Sequence, residues 1–257
     1  MKRFLVILAL LPTLLPLSSH AQQQYVGVKG GWGLADVRLY PHWTTPPVWG
    51  KWNGGIYWVY YGGGKQNEYL YDEYTGGISI EAEFMQRGFE YAALDRDSDR
   101  YTYGRSINSI VVPFMWQPHV LALDNRLRIF LNAGLTFSYN IDSKEYYIDK
   151  QTGTVETTDY EMQLVRDNSF GYGLCGGLGV GWSWNHLELM MEGRYYFGYS
   201  DIVKRKTVYS ETQFLRSPLD NINVSIGIAY RWTPKSSRKP KVAADNNSAP
   251  TKIIIEQ

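Results

Sequence analysis

A chain of 257 residues carrying 26 basic and 25 acidic side chains has no charge surplus with which to grip nucleic acid. Its single cysteine, Cys175, excludes an internal disulfide framework. Nine Trp, 21 Tyr and 25 Gly are spread along it, and no uninterrupted apolar run beyond the first 17 residues is long enough for a membrane-spanning helix, which leaves strands as the carriers of its hydrophobicity.

At the N-terminus, Lys2 and Arg3 precede an apolar run from Phe4 to Leu17, and Ser19 and Ala21 put small residues where a signal peptidase reads them. The run is shorter than the roughly 20 residues a span needs, and Pro12 and Pro16 interrupt it. Residues 1–21 are therefore expected to be a signal peptide, leaving residues 22–232 as one β domain. From Thr233 the composition turns to Lys, Ser, Pro, Asn and Ala, and residues 233–257 are expected to be a disordered tail in the periplasm.

The alternation predicts eight strands, at 25–40, 52–62, 76–94, 103–117, 126–141, 168–183, 187–200 and 220–232. In the third, Ile78, Ile80, Ala82 and Phe84 oppose Ser79, Glu81, Glu83 and Arg87. The fifth is the clearest: Ile129, Leu131, Ala133, Leu135 and Phe137 on one face, Arg128, Asn132, Thr136 and Ser138 on the other. The sixth sets Phe170, Tyr172, Leu174 and Leu178 against Gly171, Gly173, Cys175, Gly177 and Gly179. The seventh sets Leu187, Leu189, Met191 and Tyr195 against Glu188, Glu192 and Arg194. The last sets Val224, Ile226, Ile228, Tyr230 and Trp232 against Asn223, Ser225, Gly227 and Arg231. Runs of this length exceed the usual 5–6 residues of soluble strands and match the 9–11 of a membrane strand.

Period two alone does not say which face is inside. Aromatic placement does. If the first strand runs outward, Trp116, Trp182, Trp184 and Trp232 all fall at periplasmic ends, and Tyr139, Phe170, Tyr172, Phe197 and Tyr199 at external ends. Two girdles of rings belong to a membrane barrel, not to a soluble sandwich. The sequence thus predicts an all-β fold, an eight-stranded antiparallel transmembrane up-and-down β-barrel with a packed lumen, located in the outer membrane. Asn185-His186 is expected to form a tight turn, 142–167 an exposed external loop, and 63–75 and 118–125 periplasmic connections of unusual length.

Several pieces taken in order resemble the PorT-like outer-membrane β-barrel proteins of Bacteroidetes. They are Val26-Gly27-Val28-Lys29-Gly30-Gly31, Glu83-Phe84-Met85-Gln86-Arg87-Gly88, Ile110-Val111-Val112-Pro113-Phe114, the Gly-rich 171–181, Glu192-Gly193-Arg194-Tyr195-Tyr196-Phe197-Gly198 and Gly227-Ile228-Ala229-Tyr230-Arg231-Trp232. The likeness spans roughly 25–232. It implies an eight-stranded barrel in the outer membrane and no single activity; the secretion and gliding role of PorT itself is not carried over. Loops 41–75 and 142–167 match no motif of the family.

The search for chemistry yields little that is catalytic. His42, His119 and His186 are the only histidines beyond the leader, there is no His-x-Ser or Gly-x-Ser-x-Gly, and the glycine runs at 62–64 and 176–177 lack the Lys-Ser/Thr of a phosphate loop. No catalytic, cofactor or metal residue is assigned; a hydrolase using His42 at the external loops stays as an alternative. The inward face carries Lys29, Glu81, Glu83, Arg87, Arg128, Glu188, Glu192, Arg194 and Arg231. In so narrow a lumen these charges are expected to close it as an ion-pair network. Trp43, Trp49, Trp52 and Trp58 are candidate external binding aromatics. Ile228, Tyr230 and Trp232 are read as the strand that the barrel-assembly machinery recognises. The expected partners are outer-membrane lipid, that machinery and other periplasmic or outer-membrane proteins. The expected function is a non-enzymatic anchor or assembly accessory, with a loop-based binding or transport barrel as the alternative.

Overall fold

The computed structural model describes residues 23–40, 45–61, 75–93, 95–124, 126–163, 166–204 and 216–232. The expected signal peptide, the tail, His42, Trp43 and the 62–74 connection lie outside the described residues. The described residues form nine strands: β1 (Gln23–Val37), β2 (Val48–Tyr61), β3 (Thr75–Ala92), β4 (Tyr101–Ala122), β5 (Leu127–Asp149), β6 (Val155–Asp159), β7 (Phe170–Trp184), β8 (Leu187–Asp201) and β9 (Pro218–Trp232). All pairings are antiparallel, in the order β4-β3-β2-β1-β9-β8-β7-β5, and β4 also pairs with β5. Eight strands therefore close a ring, and closure removes the edges that lipid could not satisfy. The ninth, β6, pairs with the external half of β5, outside the ring.

The end holding Gln23 and Trp232 also carries the tight turns after β4 and β7, and short turns belong to the periplasmic side of such barrels, so it is named the periplasmic end. The side chains are arranged as lipid requires and water does not. Leu131 and Met191 are 57 % and 53 % exposed on the outer wall, while Glu83 and Arg194 are 1 % and 3 % exposed within. This inversion decides between the two readings that periodicity left open, because a soluble sandwich buries its apolar face. The Trp and Tyr girdles sit on the outer wall at the ends foreseen, Trp116, Trp182, Trp184 and Trp232 at one and Tyr139, Phe170, Tyr172 and Tyr199 at the other.

Inside, side chains stack in layers. Tyr25, Tyr57, Tyr61, Phe130 and Met190 fill the periplasmic end. Met85, Val111, Met115 and Tyr196 flank the charged middle, and Val37, Phe89, Ile107 and Leu219 pack at the external end. The glycines of β7 make room for this filling: a Cβ on Gly179 would lie 2.4 Å from the Phe130 ring.

The expected boundaries need correction in two places. Residues 142–167 are not simply a loop. β5 continues to Asp149, turns back at Gly153 (φ 69°) and returns as β6, while β4 begins at Tyr101 to pair with the extension. The β-formers Tyr146, Tyr147 and Ile148 carry the hairpin beyond the membrane. The expected long connection 118–125 is also wrong. β4 runs to Ala122 and pairs it with Leu127, with Leu123 and Asp124 turning at positive φ. Asn185 takes the left-handed conformation (φ 54°) that the tight β7–β8 turn requires.

Candidate functional site: the charged lumen

The middle of the lumen holds five charges from three strands. Lys29 on β1 sends its Nζ to Glu81 Oε2 at 2.5 Å, Glu83 Oε1 at 2.6 Å and Glu192 Oε1 at 2.8 Å. Arg194 on β8 forks onto Glu81 with contacts of 2.6 and 2.7 Å, and reaches Glu192 Oε2 at 2.7 Å and Glu83 Oε1 at 3.3 Å. β3 supplies two carboxylates because Glu81 and Glu83 share its inward face. Neutral groups complete the shell: Ser79 donates to Glu81, Asn132 to Glu192 and the Tyr196 hydroxyl to Glu83. The count is three carboxylates to two cations. Such a cluster stands out of water only because each head group is multiply bonded.

A second pair lies toward the periplasm. Arg128 on β5 bonds Glu188 on β8, and Ser183 donates to the same carboxylate. The guanidinium rests against the faces of Tyr25, Tyr61 and Phe130 at 4.6–5.2 Å. The two clusters are joined. Arg128 donates to the Tyr61 hydroxyl, Tyr61 to Gln117, Gln117 to Asn132, and Asn132 to Glu192. A third pair, Arg105–Asp167 at 3.5 Å, stands at the external end, where Arg105 also donates to Ser143 and lies over Tyr160 at 3.7 Å.

Seven of the nine residues expected in the lumen network thus come together. Arg87 is buried on the inward face, but among the described residues no carboxylate stands within ion-pair distance of it. Arg231 is a correction. It occupies the periplasmic rim, half exposed, and donates to the Asn185 carbonyl at 2.6 Å, because the last inward position of β9 already opens to water. Sequence reasoning missed Tyr61, Gln117 and Tyr196 as connectors and the Arg105–Asp167 pair; the inward register of Gln117 and Tyr196 was the available signal.

The external aromatics are not brought together either. Trp58 pairs with Val26 and Ile80 near the periplasmic end and donates to Gln24, so it cannot be an external binder. Trp52 stacks on Phe84 at 4.9 Å on the outer wall, opposite Trp32. Trp49, 77 % exposed at the external end of β2, is the one described member placed as expected. Ile228, Tyr230 and Trp232 form the outer stripe of β9. Among the described residues no group of three His, Cys, Asp or Glu could hold a metal ion. Cys175 is buried on the inward face of β7.

A ring of eight antiparallel strands, apolar outside and charged within, is the architecture of an outer-membrane β-barrel. Residues 21–204 match the family described as the outer membrane protein beta-barrel domain; the chain belongs to that family and is a protein of the outer membrane. No curated protein matches it. Among solved structures it is similar to Ail, the attachment invasion locus protein of Yersinia pestis, with 10 % identity over 83 % of this chain and 100 % of that one (TM-score 0.38). It is also similar to the outer membrane protein OprG of Pseudomonas aeruginosa, with 13 % identity over 83 % and 97 % (TM-score 0.43). A major outer membrane protein of Thermus thermophilus gives 13 % identity over 83 % and 100 % (TM-score 0.45).

Proposed function

We propose that the chain is a non-enzymatic barrel with a closed lumen, a membrane anchor that holds the β4–β5–β6 projection outside the cell and its C-terminal tail in the periplasm. The observation that carries this reading is the continuous path of bonded side chains from Arg128 through Tyr61, Gln117 and Asn132 to Glu192 and the central cluster. A solute would have to break it, leaving buried charges without partners. Within the family, the ordered motifs from Val26 to Trp232 favour a PorT-like member.

The rival reading, a loop-based binder or transport accessory, draws on Trp49 and the projecting hairpin. It has less behind it, because the proposed aromatic platform is dispersed. An external hydrolase would depend on His42. Planar-bilayer recording of the purified protein separates the first two: no stepwise conductance is expected, and reproducible open-channel steps would overturn the closed lumen.

A further inference from the structure

Arg87 is the side chain that the lumen network leaves over. It is 8 % exposed, its Nε lacks a hydrogen-bond partner, and among the described residues no carboxylate comes within 4.0 Å. The two carboxylates nearest in the electrostatic sense are committed elsewhere. Glu83 is held by Lys29, Arg194 and Tyr196, and Asp220 by Arg38, the Tyr195 hydroxyl and the Gly198 amide. A buried guanidinium whose Nε has no acceptor is expensive to maintain unless something answers it.

What stands beside it is a cavity of about 30 Å³ at the external end of the lumen, partly open to solvent. Arg87 enters from β3; the other walls carry Thr136, Ser138, Asn140, Tyr196, Ser200 and Asp201 from β5 and β8, the Asp201 carboxylate being engaged by the Ser217 amide and Arg216. Gly171 and Gly198 leave those walls bare, and a Cβ on Gly171 would stand 2.5 Å from the Ser138 hydroxyl. The space equals about two water molecules. That admits a halide or the head of one carboxylate.

We propose that this cavity is a binding site for a single small monoanion, a halide ion or one carboxylate group, held by the Arg87 guanidinium with hydroxyl donation from Ser138 and Thr136. One guanidinium charge, neutral hydroxyl donors beside it and a small volume select for that class. The site lies above the central cluster and asks nothing of it, so it stands whether or not the lumen conducts.

The test is stability of the refolded full chain in detergent, measured at fixed ionic strength while sodium methanesulfonate is exchanged for sodium chloride, bromide or formate. Methanesulfonate is neither a halide nor a carboxylate and serves as the baseline. The wild type should gain a saturable rise in its unfolding midpoint with each small anion; halide alone would assign a free ion, and formate alone a carboxylate. Arg87→Met should lose the rise altogether, and Ser138→Ala should weaken the apparent affinity about tenfold, the loss of one hydrogen bond to a charged group. Bromide-soaked wild-type crystals should show an anomalous peak within hydrogen-bond distance of the Arg87 guanidinium, which decides the matter if Arg87→Met fails to fold. The proposal is overturned by a cavity empty in both bromide-soaked and formate-soaked crystals, or by an anion effect of equal size in wild type and Arg87→Met, which would mean that Arg87 only balances the surplus carboxylate of the central cluster at a distance.

Discussion

At the scale of the residue, the central cluster is governed by its count of charges. Lys29 and Arg194 face Glu81, Glu83 and Glu192, so the cations are the scarce members. Lys29→Met leaves three carboxylates with one cation, and the expected cost is about 3–5 kcal/mol, that of a buried pair broken from one side. Glu192→Gln leaves two carboxylates for two cations and keeps an acceptor for Asn132; it should cost less than about 1.5 kcal/mol. Urea titration in lipid vesicles, followed by Trp fluorescence, ranks the two. Equal costs would mean that contact number, not charge balance, sets the stability. One residue from Glu192, Met191 points into lipid. Met191→Arg should lose about 2–4 kcal/mol in the same assay, for the unrelated reason that it puts a charge at mid-membrane. A tolerated arginine there would displace β8 from the bilayer.

At the scale of the element, the β5–β6 hairpin outside the membrane hangs on Asp149. Its Oδ2 accepts from Arg100 at 2.7 and 3.1 Å, and its Oδ1 from the amides of Gln151 and Thr152. The Arg100 guanidinium, with those amides, holds the Asp149 carboxyl well below the usual aspartate range. A carboxyl depressed on folding contributes stability above its unfolded value and loses it as the pH falls toward the folded one. Protection factors for hydrogen exchange across 143–160, corrected for the intrinsic pH dependence of amide exchange, should therefore be high at neutral pH and fall only below about pH 4. Asp149→Asn should exchange faster at neutral pH with the acid dependence flattened. The same hairpin shows why sequence reading stopped where it did. The ring strands were legible because period two persists over a membrane thickness and the aromatic ends orient it. β6 was not, because Val155-Glu156-Thr157-Thr158-Asp159 is short and fully exposed, with no buried face to impress an alternation. Seven lumen charges were legible from register alone. Arg231 was misplaced because register says nothing about where the lumen ends, and Trp58 because its neighbours in sequence, not its depth along β2, had suggested an external position.

At the scale of the whole molecule, closure rests on the pairing of the first strand with the last. β9 meets β1 from Gln24↔Trp232 to Val37↔Leu219 and β8 on its other side, so the ring cannot shut until the final strand is in place. Contacts between segments so far apart in sequence form late and are costly to initiate. Anything that guides β9 into the membrane should therefore govern how much barrel forms more than how stable it is once formed. Trp232 is placed for that task. It lies on the outer wall at the periplasmic end, 54 % exposed, in line with Ile228 and Tyr230, and it takes no part in the lumen network. Trp232→Ser should lower the amount of inserted barrel, read as the heat-modifiable band of outer-membrane fractions, while the urea midpoint of the protein that does insert shifts by less than about 1 kcal/mol. Two controls isolate the cause. Trp49→Ser removes an exposed ring from the opposite, external end, and Trp184→Ser removes one from the same periplasmic girdle but from β7. Reduced insertion in Trp232→Ser alone assigns the role to the last strand. A matching reduction in Trp184→Ser would assign it to the girdle as a whole, since an interfacial ring anchors wherever it sits.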